Sequence, residues 1–182
     1  MTLTHRLATR ADLPELRALI EAAIAELQKG FLDDEQIASS RAIMGLDTAL
    51  IDDGTYFVVE AEGRIAGCGG WSRRATLYGG DHSAGRDAAL LDPARDAAKV
   101  RAMYTHPDFT RRGIGRLVLA LSESAAAAEG FRMLELMATL SGEPLYRAAG
   151  FVPVERLADG AGGAPVPLVR MRKPVTVGTS AR

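Results

Sequence analysis

The stretch KVRAMYTHPDFTRRGIGRLVLAL, residues 99–121, decides how this chain is read. Lys99–Thr105 reads as a strand, and Pro107 ends it by removing a backbone donor and holding His106 extended. Beyond the turn, Ile114, Leu117, Val118, Leu121, Ala125 and Ala128 share one helical face, and Gly130 closes that helix. Between strand and helix lies Thr110–Arg111–Arg112–Gly113–Ile114–Gly115–Arg116. Neither glycine carries a Cβ, so the backbone there can approach a ligand closely. The first N–H groups of the helix have no intrahelical partner and point outward with the helix dipole behind them. Arg111, Arg112 and Arg116 add guanidinium groups, which suit phosphate oxygens. Together these features describe a pyrophosphate cradle. The plain alternative is a solvated helix that happens to open with two glycines and some arginines.

Three phosphate-binding patterns compete. A P-loop needs a Gly-Lys pair, and the chain has none. A dinucleotide fingerprint needs a third glycine where Val118 stands, and it should open a βαβ unit; here a hairpin comes first. A coenzyme A turn is the third pattern, and it stands open beside the solvated-helix alternative.

Working outward, residues 5–9 read as a short first strand. Thr9 and Asp12 are candidate N-caps, and Pro14 suits a first helical turn. Leu16, Leu19, Ile20, Ala23, Ile24 and Leu27 then form one apolar stripe, ended by Gly30. A second helix is expected over about residues 33–44, where Asp33, Asp34 and Glu35 favour an N-terminus. Tyr56–Val59 and Arg64–Trp71 form a hairpin around Glu62–Gly63. Gly67, Gly69 and Gly70 are unusual in a strand and point to a bulge or a close backbone approach. Residues 73–98 read as a long loop with a helical turn near 86–91, and loops of this length are more often functional than decorative. Met133–Thr139 is an almost continuous apolar strand that suits a central position. Ser141 can cap a short helix containing Pro144 and ending at Gly150. Strands near 151–156 and 166–171 follow, joined by the soft segment ADGAGGAP.

The chain has 182 residues, 47% apolar and 25% charged, which is ordinary composition for one globular domain. A formal net charge of −1 gives no electrostatic case for nucleic acid or an anionic membrane. The single cysteine, Cys68, excludes an internal disulfide framework and suits a reducing compartment. Three histidines, His5, His82 and His106, lie far apart, so no metal site is expected. The opening MTLTHRLATRAD has no apolar h-region, so no secretory signal is expected, and no apolar run approaches the ~20 residues of a membrane span; a cytoplasmic protein is the expectation. One domain over residues 1–173 and a disordered tail over 174–182 are the expected boundaries.

Residues 99–151 resemble the core of the GNAT superfamily of acetyl-CoA-dependent N-acyltransferases. In that family a strand leads into Q/R-x-x-G-x-G/A, which here is Thr110–Arg111–Arg112–Gly113–Ile114–Gly115, with threonine departing at the first position. Ser141–Gly142–Glu143–Pro144–Leu145–Tyr146–Arg147–Ala148–Ala149–Gly150–Phe151 is similar to the family's closing segment, with serine at a position often held by asparagine. Glu62–Trp71 resembles the family's central hairpin. The resemblance covers most of residues 5–171 and is strongest over 99–151.

The resemblance implies an α/β fold: a single domain with a mixed, mostly antiparallel sheet, helices on both faces, and a central strand pair splayed to admit the cofactor. It implies an acyltransferase that moves an acetyl group from acetyl-CoA, as cosubstrate and without a metal, to an amine by direct attack in a ternary complex. Met103, Tyr104 and Thr105 would lie along the pantetheine arm, and a strand amide there would polarise the thioester carbonyl. Arg111, Arg112, Gly113, Ile114, Gly115 and Arg116 would hold the pyrophosphate, and Ser141 would also line the cofactor site. Tyr146 is the candidate general acid, because a phenol with pKa about 10 is protonated at neutral pH and close to a thiol in acidity. A packed helix tyrosine is the competing reading. No base is identified. Glu60, Glu135 and His106 are each better read as structural or solvated, and a water chain serves as well. Trp71 is better read as core, Cys68 has no histidine partner for a nucleophilic role, and Asp81–His82 read as solvent-facing. The acceptor is a small-molecule or peptide amine, its pocket shaped by residues 28–40 and 73–98. Succinyl- or propionyl-CoA is an alternative donor, and a homodimer is a common assembly in the family. The rival reading is a non-catalytic module on the same fold that senses coenzyme A or binds a partner.

Overall fold

The computed structural model describes residues 1–176. In chain order the elements are β1 (Thr4–Leu7), α1 (Leu13–Leu27), α2 (Asp34–Ser40), α3 (Thr48–Asp52), β2 (Tyr56–Ala61), β3 (Arg64–Ser72) and β4 (Ala98–Thr105). Then come α4 (Ile114–Ala128), β5 (Met133–Thr139), α5 (Glu143–Ala148), β6 (Val152–Asp159) and β7 (Val166–Pro174). The strands form one seven-stranded sheet in the order β1-β2-β3-β4-β5-β7-β6, antiparallel except for the parallel pair β4–β5.

Period-two alternation places helices on both faces of that sheet. Val58 of β2 and Ile65 of β3 pack with Leu16, Leu19, Ile20 and Ile24 of α1. Their neighbours Val59, Ala61 and Ala66 point the other way, onto Ile114 and Val118 of α4. The glycines of β3 serve this packing: a Cβ on Gly67 would lie 2.3 Å from Ile114 Cγ2, and one on Gly70 only 2.1 Å from Thr55 O. Both expectations for that strand hold, since β3 and β4 also lose register between Cys68 and Gly70.

Several expected elements differ in detail. The second helix is shorter than residues 33–44, and α3 was not foreseen; Asp47 caps it by accepting from Ala49 N at 3.0 Å. No helical turn forms near 86–91. The ends of the long loop pair instead, Ala75 N to Ala89 O at 2.9 Å and Leu91 N to Arg73 O at 2.8 Å, which draws the segment into a ribbon. Ser141 does not cap α5: the N-cap is Gly142, and Ser141 Oγ lies 3.1 Å from Thr139 Oγ1. The tail expected from residue 174 is still tied at its start, with Val175 N donating to Arg132 O and Thr176 N to Glu123, both within 2.9 Å. The rest of that tail lies outside the described residues. Among the described residues no helix is long and apolar enough to cross a membrane.

Candidate active site

Strands β4 and β5 pair at only two positions, Ala98 with Leu134 and Lys99 with Glu135, and then part. The Lys99 Nζ–Glu135 Oε1 ion pair, 3.0 Å long and buried, closes the foot of the gap. Arg170 and Arg172 reach Glu135 from β7. Burial alone would raise this carboxyl, but hydrogen bonds from Lys99 and Arg172 outweigh it and hold the group ionised. Above the foot, β4 bulges: Ala102 and Met103 together face Gly69, and Ala102 takes a left-handed φ of 49°. Tyr56 Oη donates to Ala102 O at 2.8 Å and holds the bulge from within the α1 side of the core.

A cleft of about 830 Å³ runs through the gap. At one end is the turn before α4. Arg111 and Gly113 both adopt left-handed backbone, φ 62° and 84°, which turns successive amides toward one side. Leu117 N, bonded to Gly113 O at 3.0 Å, makes the first helical hydrogen bond. The amides of Ile114, Gly115 and Arg116 have neither a backbone nor a side-chain acceptor among the described residues. The two glycines have different reasons. Gly113 needs its left-handed φ, whereas a Cβ on Gly115 would lie 2.6 Å from Leu145 Cδ2, so Gly115 lets α5 close on α4.

Met103, Tyr104, Thr105, Arg111, Gly113, Ile114, Gly115, Arg116, Ser141 and Tyr146 all line this one cleft. Arg112 does not. Its guanidinium stacks 5.2 Å from the Phe109 ring centre and pairs with Glu62 at 3.5 Å. A second, smaller cavity of about 90 Å³ adjoins the first. Met44, Met103, Tyr104, Thr139 and Tyr146 line both, so they form a neck between the two spaces. Tyr146 is half-buried there, and its hydroxyl has no hydrogen-bond partner among the described residues. Burial pushes its pKa up to about 12. The group is therefore firmly protonated at neutral pH, and a weaker acid than the free phenol expected from sequence.

The other candidates settle into structural places. Glu60 pairs with Arg6 at 3.0 Å, and His106 Nδ1 accepts from Asp108 N at 3.1 Å. Trp71 is 1% exposed and packs edge-on against Phe131. Cys68 touches the cleft, but burial raises its thiol to about 12, so it is inert as a nucleophile. Asp81 and His82 are exposed yet hold the loop down: Asp81 accepts from Thr48 N at 3.0 Å, and a ring nitrogen of His82 lies 2.6 Å from Arg41 O. Sequence reading missed Gln28, Phe31 and Met44 as individual wall residues. An aromatic residue, Phe31, directly after the helix stop at Gly30 was the one local signal for them, and in the structure it stands exposed beside the cleft.

A turn with open amides, a splayed strand pair and a tyrosine at the neck thus share one cleft. The sequence model of the acetyltransferase (GNAT) domain matches residues 52–153, more than half of the chain, and the protein belongs to the GNAT family of acetyltransferases. Solved structures share the fold. A GCN5-related N-acetyltransferase from Rhodopseudomonas palustris aligns over 96% of both chains with TM-score 0.71 and 20% identity. The PaiA N-acetyltransferase of Thermoplasma acidophilum, in complex with coenzyme A, covers 96% of this chain and 99% of its own with TM-score 0.65 and 15% identity. YncA of Salmonella typhimurium, with its cofactor acetyl-CoA, covers 99% and 98% with TM-score 0.64 and 17% identity. No curated protein matches the chain by sequence.

Proposed function

We propose that this acetyltransferase moves the acetyl group of acetyl-CoA to a primary amine by direct attack in a ternary complex. The observation that carries the reading is the neck: two spaces, one long and one small, meet at Tyr146 and the β4 bulge. A long cofactor arm fits the cleft between β4 and β5, and an acceptor can meet it from the other side. The free amides of Ile114, Gly115 and Arg116, with Arg111 and Arg116 beside them, hold the pyrophosphate. Arg112 contributes through its main chain only. Backbone of Met103–Thr105 runs along the pantetheine, and an amide at the bulge steadies the oxyanion. Ser141 borders the arm. Tyr146 donates its proton toward the departing sulfur, and its high pKa makes it chiefly a hydrogen-bond donor until the thiolate forms. Residues 1–173 act as one domain. A cytoplasmic site of action fits the free, buried Cys68.

Calorimetry with acetyl-CoA tests this directly. Binding in the micromolar range is expected, and no heat at millimolar ligand would overturn it.

A further inference from the structure

The small cavity on the far side of the neck limits what can be acetylated. We infer that the acceptor is a compact primary amine of about four heavy atoms that carries no charged group besides its amine; this rests on the acetyl transfer proposed above. Three observations lead there.

The first is size. The cavity holds about 90 Å³. An apolar cavity of about 150 Å³ accommodates the six carbons of benzene, so this one takes about four heavy atoms.

The second is chemistry. Ile43, Leu77, Val100, Leu136, Met137 and Leu168 provide apolar wall, while Tyr78, Tyr104, Thr139 and Tyr146 add neutral polar surface of about equal extent. Among the described residues no carboxylate lines the cavity, and the one cation that does is Arg101. That guanidinium is already taken by Asp47 at 2.9 Å, Thr76 O at 3.1 Å and Gly79 O at 2.7 Å. A carboxylate or a second ammonium on the acceptor would be buried without a free counter-charge, which is strongly unfavourable. Burial in this uncharged lining favours the free-base form of the amine by desolvation. That form is the one that attacks, and among the described residues no carboxylate lines the neck.

The third is closure. The segments that would have to part for a polypeptide are pinned together. Ser39 Oγ donates to Ala164 O at 2.6 Å, and Gln36 Nε2 to Pro165 O at 3.0 Å, joining α2 to the β6–β7 connection. Gly162 lies flush on α2, where a Cβ would sit 2.2 Å from Ser39 O. Tyr78 Oη donates to Asp159 at 2.7 Å and ties the long loop to the end of β6.

In the reaction the amine nitrogen forms a bond to the acetyl carbon and the carbon–sulfur bond breaks. Tyr146 supplies the proton that makes coenzyme A a neutral thiol. The proton lost from nitrogen returns through solvent to the tyrosine.

The test is thiol release from saturating acetyl-CoA with n-propylamine, isobutylamine, n-hexylamine, alanine, spermidine and a lysine-containing hexapeptide, alongside calorimetry of acetyl-CoA. The two short amines should exceed each of the others at least tenfold in kcat/KM, since a misfit methylene alone costs about tenfold. Preference for the peptide, spermidine or alanine would overturn the inference, as would release with none of the panel. In each case acetyl-CoA binding leaves the cofactor reading standing, and absence of binding removes both. Met137→Ala deletes three heavy atoms from the half-buried wall on β5 and should raise the n-hexylamine to n-propylamine ratio at least tenfold. Leu77→Ala, in the loop, should move it the same way. An unchanged ratio in both folded variants places the acceptor elsewhere and sinks the assignment.

Discussion

The hydroxyl of Tyr56, on β2, donates a 2.8 Å hydrogen bond to the carbonyl of Ala102, on β4. Tyr56 is fully buried, and Ala102 is the left-handed residue of the bulge that bends β4 away from β5. The contact crosses β3 within the core, so the opening of the cleft is held by packing and not by the residues that line it. Tyr56→Phe leaves the ring in place and strips the carbonyl of its donor. A loss of about 1–3 kcal/mol in urea unfolding is expected, with weaker acetyl-CoA binding by calorimetry.

Tyr146 is the converse case. Its hydroxyl has no partner among the described residues, so Tyr146→Phe should leave the urea midpoint nearly unchanged. Turnover should fall by about 10²–10⁴ if the hydroxyl serves the leaving sulfur. Equal turnover in the two proteins would remove the acid role and leave the cofactor site intact.

At the turn, the two glycines should fail differently. Gly113→Ala places a Cβ in open space but forces a left-handed residue, costing about 1–2 kcal/mol. Gly115→Ala drives Leu145 from its seat and should be partly rescued by Leu145→Ala, whereas Gly113→Ala should not. A double-mutant cycle on acetyl-CoA affinity measures the difference.

Glu135 should behave as the foot of the gap and not as a base. Glu135→Gln leaves Lys99 buried without its counter-charge, and a cost of about 3–5 kcal/mol is expected. Once corrected for the folded fraction, the pH profile of kcat/KM should keep its shape. Loss of the acidic limb, on which a carboxylate base would titrate, would instead make Glu135 catalytic.

Acid sensitivity should trace in part to Asp12. Its hydrogen bond from Arg6 leads the effects that lower its pKa to about 2, while partial burial opposes them. The folded value lies below the unfolded one, so this carboxylate stabilises the fold above pH ~4 and the contribution fades as pH falls toward ~2. Asp12→Asn should therefore lower stability at pH 7 and flatten its decline between pH 4 and 2, followed by circular dichroism.

How much of this was legible depends on the range of the interactions. The stripe of α1, the hairpin with its glycines, the Gly113–Gly115 turn and Tyr146 before Gly150–Phe151 are local patterns, and each took its expected place. Asp47 gave no such signal. It caps α3 and holds Arg101 and Arg86 at once, partners 54 and 39 residues away. The same holds for Gly162, whose absent Cβ matters only because Ser39 lies against it.

Periodicity and turn chemistry act within a few residues, so the chain by itself determined the strand–turn–helix and the amides it exposes. The tertiary structure alone decided that β4 leaves β5 after Lys99, that Arg112 turns to Phe109, and that a second cavity opens behind Tyr146. Those outcomes come from contacts between segments far apart in sequence, where steric fit and buried hydrogen bonds select one arrangement that no local pattern encodes.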